Sequence, residues 1–231
     1  MSNKPELVVM LTHHDLTVEN AAEIFEQCRL SKARCWGMKE HPLPFGKMHK
    51  LYARMKEAGK TTFLEVVAYT EDEGLKGAKM AAGCQCDVLM GTCYHDSILS
   101  FCQEHDIRYM PFAGRVEGRP SVLSGSIDEI VAEAQDYVRR GVYGIDLLGY
   151  RYTGDILRLN REIVSRVEAP VCLAGSINSY ERLKEVCDVR PWAFTIGSAF
   201  FEHKFGEGLC QQINNVFDYI NYEERRSSKL L

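Results

Sequence analysis

The chain has 231 residues, 45% of them hydrophobic and 26% charged, with a formal net charge of −4 and a pI near 6.0. That length supports one large core, and the acidic balance argues against nucleic acid or an anionic membrane surface as the main partner. No apolar run reaches the roughly 20 residues of a membrane span, and MSNKPELVVM lacks a signal peptide's apolar segment, so a cytoplasmic location is expected.

Leu7–Leu11 is a short apolar run that breaks into Thr12-His13-His14-Asp15, and a helix is expected from Thr17. Ala33–Met38 reads as a second strand, closed by Lys39-Glu40, and Lys47–Ala58 as an amphipathic helix stopped by Gly59. TTFLEVVA (61–68) has the β-branched richness of a buried strand, and Glu71–Ala82 is helical. Asp87–Met90, the helix His95–His105 and Ile107–Phe112 follow. The longest loop, Ala113–Gly125, carries Arg115, Glu117 and Arg119 between glycines and reads as mobile and polar. Ser126 and Glu129 form a capping box for Ile127–Arg140. Val142–Leu148, the helix Asp155–Val167, Pro170–Ala174, the helix Ser179–Cys187 and Trp192–Ile196 complete the alternation. A helix over Phe205–Tyr219 ends the barrel at about residue 220, and 221–231 reads as a frayed, charged tail.

Eight strand–helix alternations with short connections require a parallel sheet with helices outside it. An open doubly wound sheet would carry its glycine-rich phosphate loop after the first strand. Here the first strand ends in HHD, and the glycines come after strands seven and eight as Gly175-Ser176 and Gly197-Ser198. That is where (β/α)₈ barrels commonly bind phosphate, so a single α/β TIM barrel is expected, with these four residues as the phosphate site.

Barrel active sites lie at the C-terminal ends of the strands. Glu65 and Asp146 are lone carboxylates inside apolar strands, where a charge is costly unless paired or functional. Lys39 is placed to pair with Glu65, and burial would draw both toward neutrality for proton transfer; a Schiff-base lysine is a second option. His14 completes the expected catalytic set, and Arg115, Arg151 and His95 the substrate contacts. Tyr150-Arg151-Tyr152 reads as a ligand clamp, because guanidinium forks onto carboxylate or phosphate. His13 and His14 are adjacent on an extended segment and should point opposite ways, which disfavours joint ligation of one ion. No metal site is assigned; a divalent ion with Asp15 or Glu65 stays open. The nine cysteines, an odd number set mostly in apolar segments, read as buried free thiols in a reducing compartment, without zinc-site spacing.

GIDLLGYRYTG (144–154), APVCLAGSI (169–177) and AFTIGSAFF (193–201) resemble the ribulose-phosphate-binding barrels, in particular the N-acetylmannosamine-6-phosphate 2-epimerase family. The resemblance implies a substrate phosphate on Gly175, Ser176, Gly197 and Ser198, and makes Lys39 a loose match to that family's catalytic lysine. It also marks a departure, because the family's strand-seven glutamate is replaced here by Ala174. The expected function is a phosphosugar isomerase, epimerase or aldolase that abstracts a proton next to a carbonyl. Its partner would be a phosphorylated small molecule, with a homodimer left open. The rivals are a non-catalytic barrel that senses a phosphometabolite, and a metal-dependent lyase or epimerase using His14, Glu65 and Asp146.

Overall fold

A computed structural model describes residues 4–228. Eight parallel strands form the barrel: β1 Glu6–Met10, β2 Cys35–Lys39, β3 Thr61–Val66, β4 Val88–Gly91, β5 Arg108–Met110, β6 Ile145–Leu147, β7 Val171–Leu173 and β8 Ala193–Ile196. They are hydrogen-bonded in the order β6-β7-β8-β1-β2-β3-β4-β5. The seam between β5 and β6 is closed by a bridge from Phe112 to Asp146, whose N–H donates to the Pro111 carbonyl at 3.0 Å.

The helices are α1 Ala21–Cys28, α2 Phe45–Glu57, α3 Glu71–Gly83, α4 Asp96–Glu104, α5 Ile127–Arg140, α6 Ile156–Arg166, α7 Tyr180–Val189, the single turn α8 Ser198–Phe201, and α9 Leu209–Ser228. Period-two alternation sorts each strand onto two faces. Val8, Met10, Cys35, Phe63, Val88, Met90, Met110, Cys172 and Ala193 fill the interior, while Val9, Trp36, Leu64, Leu89 and Phe194 pack outward under the helices. Lys39 follows Cys35 at even spacing, Glu65 follows Phe63, and Thr195 follows Ala193. The same parity that builds the core therefore carries polar side chains inward at the C-terminal ends.

Three expectations are corrected. The expected tail continues as helix to Ser228, because Ile213, Val216, Ile220 and Glu223 are buried at helical spacing along α9; residues 229–231 lie outside the described residues. The 113–125 segment is an antiparallel hairpin, Arg115–Glu117 with Val122–Ser124, and not a free loop. Tyr69 ties its tip down, donating to the Gly118 carbonyl and meeting Ser121 Oγ, both at 2.8 Å. Cys28 and Cys210 form a disulfide between α1 and α9, so the nine thiols are not all free. Among the described residues no helix is long and apolar enough to cross a membrane.

Candidate active site

After β1 the chain makes a small hairpin, Thr12–His13 against Leu16–Thr17. His14 and Asp15 sit at its tip with φ of 50° and 61°. Positive φ at both central residues is the tight-hairpin geometry, which Asp tolerates better than most side chains. The hairpin is fastened on two sides. Thr17 Oγ1 donates to the Lys39 carbonyl at 2.8 Å and accepts from the Lys39 N–H at 2.9 Å. The His14 N–H donates to Ser198 Oγ at 3.0 Å.

This turn delivers Asp15 between two cations. Lys39 Nζ lies 3.1 Å from Asp15 Oδ1 and 3.3 Å from Glu65 Oε1. Arg151 forks onto Asp15, with its two terminal nitrogens at 3.1 and 3.3 Å from the carboxylate oxygens. The result is an unbroken line of alternating charge: Arg151, Asp15, Lys39, Glu65. Burial works against the Lys39 ammonium, but Glu65 and Asp15 outweigh it and raise its pKa. Burial likewise opposes the Asp15 charge, and Lys39 and Arg151 reverse it, so the Asp15 pKa falls. Lys39 is therefore a held ammonium. The direction of that shift runs against the expectation of a lysine drawn toward neutrality.

A cavity of about 330 Å³ opens above this line. Lys39, Glu65, His14 and Arg151 line it, and so do Gly175, Ser176, Gly197 and Ser198, so these eight predicted residues share one space. Among the described residues, the N–H groups of those last four donate to no acceptor on the protein. The glycines are required by packing as well as by any ligand. A Cβ on Gly175, whose φ is +90°, would stand 2.8 Å from Arg151 Cγ, and one on Gly197 would stand 2.3 Å from Thr12 Oγ1. Ala174 also faces the cavity.

Three predicted residues stand elsewhere. Asp146 is fully buried, does not line the cavity, and has no hydrogen-bond partner for either carboxyl oxygen among the described residues. Burial, with the Glu65 charge next in importance, raises its pKa well above the usual aspartate value. Its place in an apolar strand marked it as a costly carboxylate and said nothing of its depth in the barrel. Arg115 is exposed on the outer hairpin, and His95 is the N-cap residue of α4; neither lines the cavity. From the loop it is Pro120 and Ser121 that reach the cavity, while Arg119 donates to the Val67 carbonyl at 2.9 Å. Arg151 is in place, but its fork is occupied by Asp15. Sequence reasoning missed that bridging role, and it missed Glu202, which lines the same cavity.

No family model matches the chain, and no curated protein does. Solved structures match across nearly its whole length. Orotidine 5′-phosphate decarboxylase from Pyrococcus horikoshii OT3 aligns with a TM-score of 0.68 at 13% identity, over 93% of this chain and 99% of that one. N-acetylmannosamine-6-phosphate 2-epimerase from Clostridium perfringens aligns at 0.63 and 15%, over 94% and 93%. Tryptophan synthase subunit alpha from Legionella pneumophila str. Paris aligns at 0.65 and 10%, over 94% and 93%. The chain has the barrel fold that these enzymes share.

Proposed function

We propose that the protein is a phosphosugar-processing enzyme of the isomerase, epimerase or aldolase type, acting by proton abstraction next to a carbonyl. One observation carries this reading: the Lys39–Glu65 pair and the unpaired N–H groups of the β7 and β8 turns face the same cavity. Phosphate oxygens accept from those N–H groups and fix one end of the substrate. The carbonyl end then lies over the charged floor. Glu65 takes the proton from the carbon next to the carbonyl, and the electron pair moves onto oxygen. The Lys39 ammonium stabilises the enolate that forms, as a fixed cation held in place before the reaction. Phosphate binding at the turns supplies orientation for that step. Two neighbouring folds whose names specify phosphorylated compounds, the decarboxylase and the epimerase, agree with this class.

The test is a thermal-melt panel of sugar phosphates, each beside its unphosphorylated form, followed by assays of the compounds that bind. A ligand selective for the native state raises the melting temperature. A shift with phosphorylated members only, and turnover abolished by Lys39→Met, is the expected result. No shift with any member removes the phosphate site and the reading with it. Ala174 supports a second reading, a sensing barrel, since the second base of a two-base epimerase is absent there. Selective binding with no turnover of any bound compound decides for the sensor.

A further inference from the structure

The two imidazoles after β1 and the carboxylate after α8 are left over by the scheme above. His14 adopts φ of 50°, which breaks the extended alternation and brings its ring to 3.8 Å from that of His13, centroid to centroid. His13 is stacked on Phe201 at 5.6 Å, and the next residue is Glu202. One donor atom each from His13, His14 and Glu202 lie within 4.8 Å of one another. Among the described residues neither histidine ring has a hydrogen-bond partner, and Glu202 has only a long ion pair with Lys204 at 3.8 Å.

The placement is electrostatically odd for a phosphate site. Lys39 and Arg151 are already engaged by Asp15 and Glu65. Glu202 puts a further carboxylate on the wall beside Ser198, where it would repel a phosphate dianion. A cation held by Glu202 and the two imidazoles reverses that sign. We propose that His13, His14 and Glu202 bind one divalent first-row transition ion of the zinc class at the cavity rim. Its remaining coordination positions are open to water or to an oxygen of the phosphorylated ligand. Two imidazole nitrogens and one carboxylate oxygen suit zinc, cobalt or nickel and disfavour magnesium and calcium, which take oxygen ligands. Bonds of about 2.0–2.2 Å place ligand atoms no more than about 4.4 Å apart, so small rotations of these exposed side chains complete the set. The ion site stands on its own geometry; only the contact with ligand rests on the phosphate reading.

The experiment is a titration of EDTA-stripped protein with Co²⁺, followed by visible absorption. The expected result is saturable binding of one ion per chain, with ligand-field bands but no thiolate-to-cobalt charge-transfer band. Zn²⁺ should displace it, and Mg²⁺ should not. His13→Ala and Glu202→Gln should each weaken binding by about tenfold or more while leaving the metal-free melting temperature unchanged. Absence of saturable binding, a thiolate band, or wild-type affinity in both variants overturns the proposal. The melt panel repeated with and without Zn²⁺ separates the two ideas. Cobalt binding without any phosphate-dependent shift keeps the ion and discards the phosphate reading. A phosphate-dependent shift in protein that binds no cobalt does the opposite.

Discussion

Lys39→Met is the sharpest test of how the charged floor is built. In the wild type Lys39 is 9% exposed in its side chain and Glu65 is 11% exposed, and among the described residues Lys39 is the single ion-pair partner of Glu65. Asp15 is 32% exposed and keeps both Arg151 contacts when the lysine is removed. The cost therefore falls on Glu65, whose carboxylate is left buried without a cation. Stripping one partner from a buried pair costs about 3–5 kcal/mol, and residual water access at this strand end brings the expected loss to about 2–4 kcal/mol. At roughly 2–4 °C per kcal/mol for a chain of this size, the melting temperature should fall by about 4–16 °C. A raised Lys39 pKa means that its stabilisation is complete below the ordinary lysine value and is lost only as alkali titrates the folded form. Between about pH 5 and 7 the wild type has no Lys39-linked change. Lys39→Met/Glu65→Gln should recover most of the loss, giving a coupling energy of at least about 1 kcal/mol in a double-mutant cycle followed by urea denaturation. Additive single effects in that cycle would refute the argument.

Three further outcomes follow from the same structure. Asp146→Val should stabilise the protein at neutral pH by about 1–3 kcal/mol, because an unpaired buried carboxyl is replaced by an apolar side chain. The raised pKa makes that carboxyl increasingly costly as pH climbs above the ordinary aspartate value of about 3.9, so the gain should fade toward acid; a loss at neutral pH would contradict it. Reduction of Cys28–Cys210, which spans 182 residues of sequence, should lower stability by about 2–4 kcal/mol in denaturant titrations with and without reductant, and coincident curves would show that the bond is not formed. Gly197→Ala drives a Cβ to 2.3 Å from Thr12 Oγ1 and 3.0 Å from its carbonyl oxygen, so it should cost about 1–3 kcal/mol and abolish the shift with phosphorylated ligands. An unchanged shift in that variant would place the ligand elsewhere.

The barrel was legible because each strand is a short β-branched or apolar run and several helices end at a glycine, such as Gly141 after α5 at φ of 102°. Period two placed Lys39, Glu65 and Asp146 on the interior face. It could not say that Asp146 lies below the cavity floor, since depth depends on the stagger between strands. Asp15 was hidden by backbone geometry: read as extended, HHD scatters its side chains, whereas the left-handed turn at His14 and Asp15 gathers them. Glu202 is separated from His13 by almost the whole chain, and only barrel closure between β8 and β1 brings them together. The Cys28–Cys210 bond was out of reach for the same reason. Arg115 was favoured over Ser121 as a site residue by its charge alone, but the hairpin turns that arginine outward and lays Pro120 and Ser121 over the mouth.

The turns and the charged floor are mechanically one unit. Gly175 lacks a Cβ where Arg151 Cγ would meet it, so the β7 turn is seated on the arginine. Arg151 grips both oxygens of Asp15, and Asp15 holds the Lys39 ammonium against Glu65. On the other side, Ser198 of the β8 turn accepts from the His14 backbone, one residue before Asp15. Both turns therefore reach Asp15 by independent routes. An ordinary structural salt bridge would need only one partner and no cavity. Here a buried lysine is overdetermined by two carboxylates at the floor of a 330 Å³ space, and its anchors are the same two turns whose N–H groups stand free. Under the proposed function, a ligand bound at those turns would act on the lysine's scaffold directly, turning remote binding energy into orientation over the charged floor.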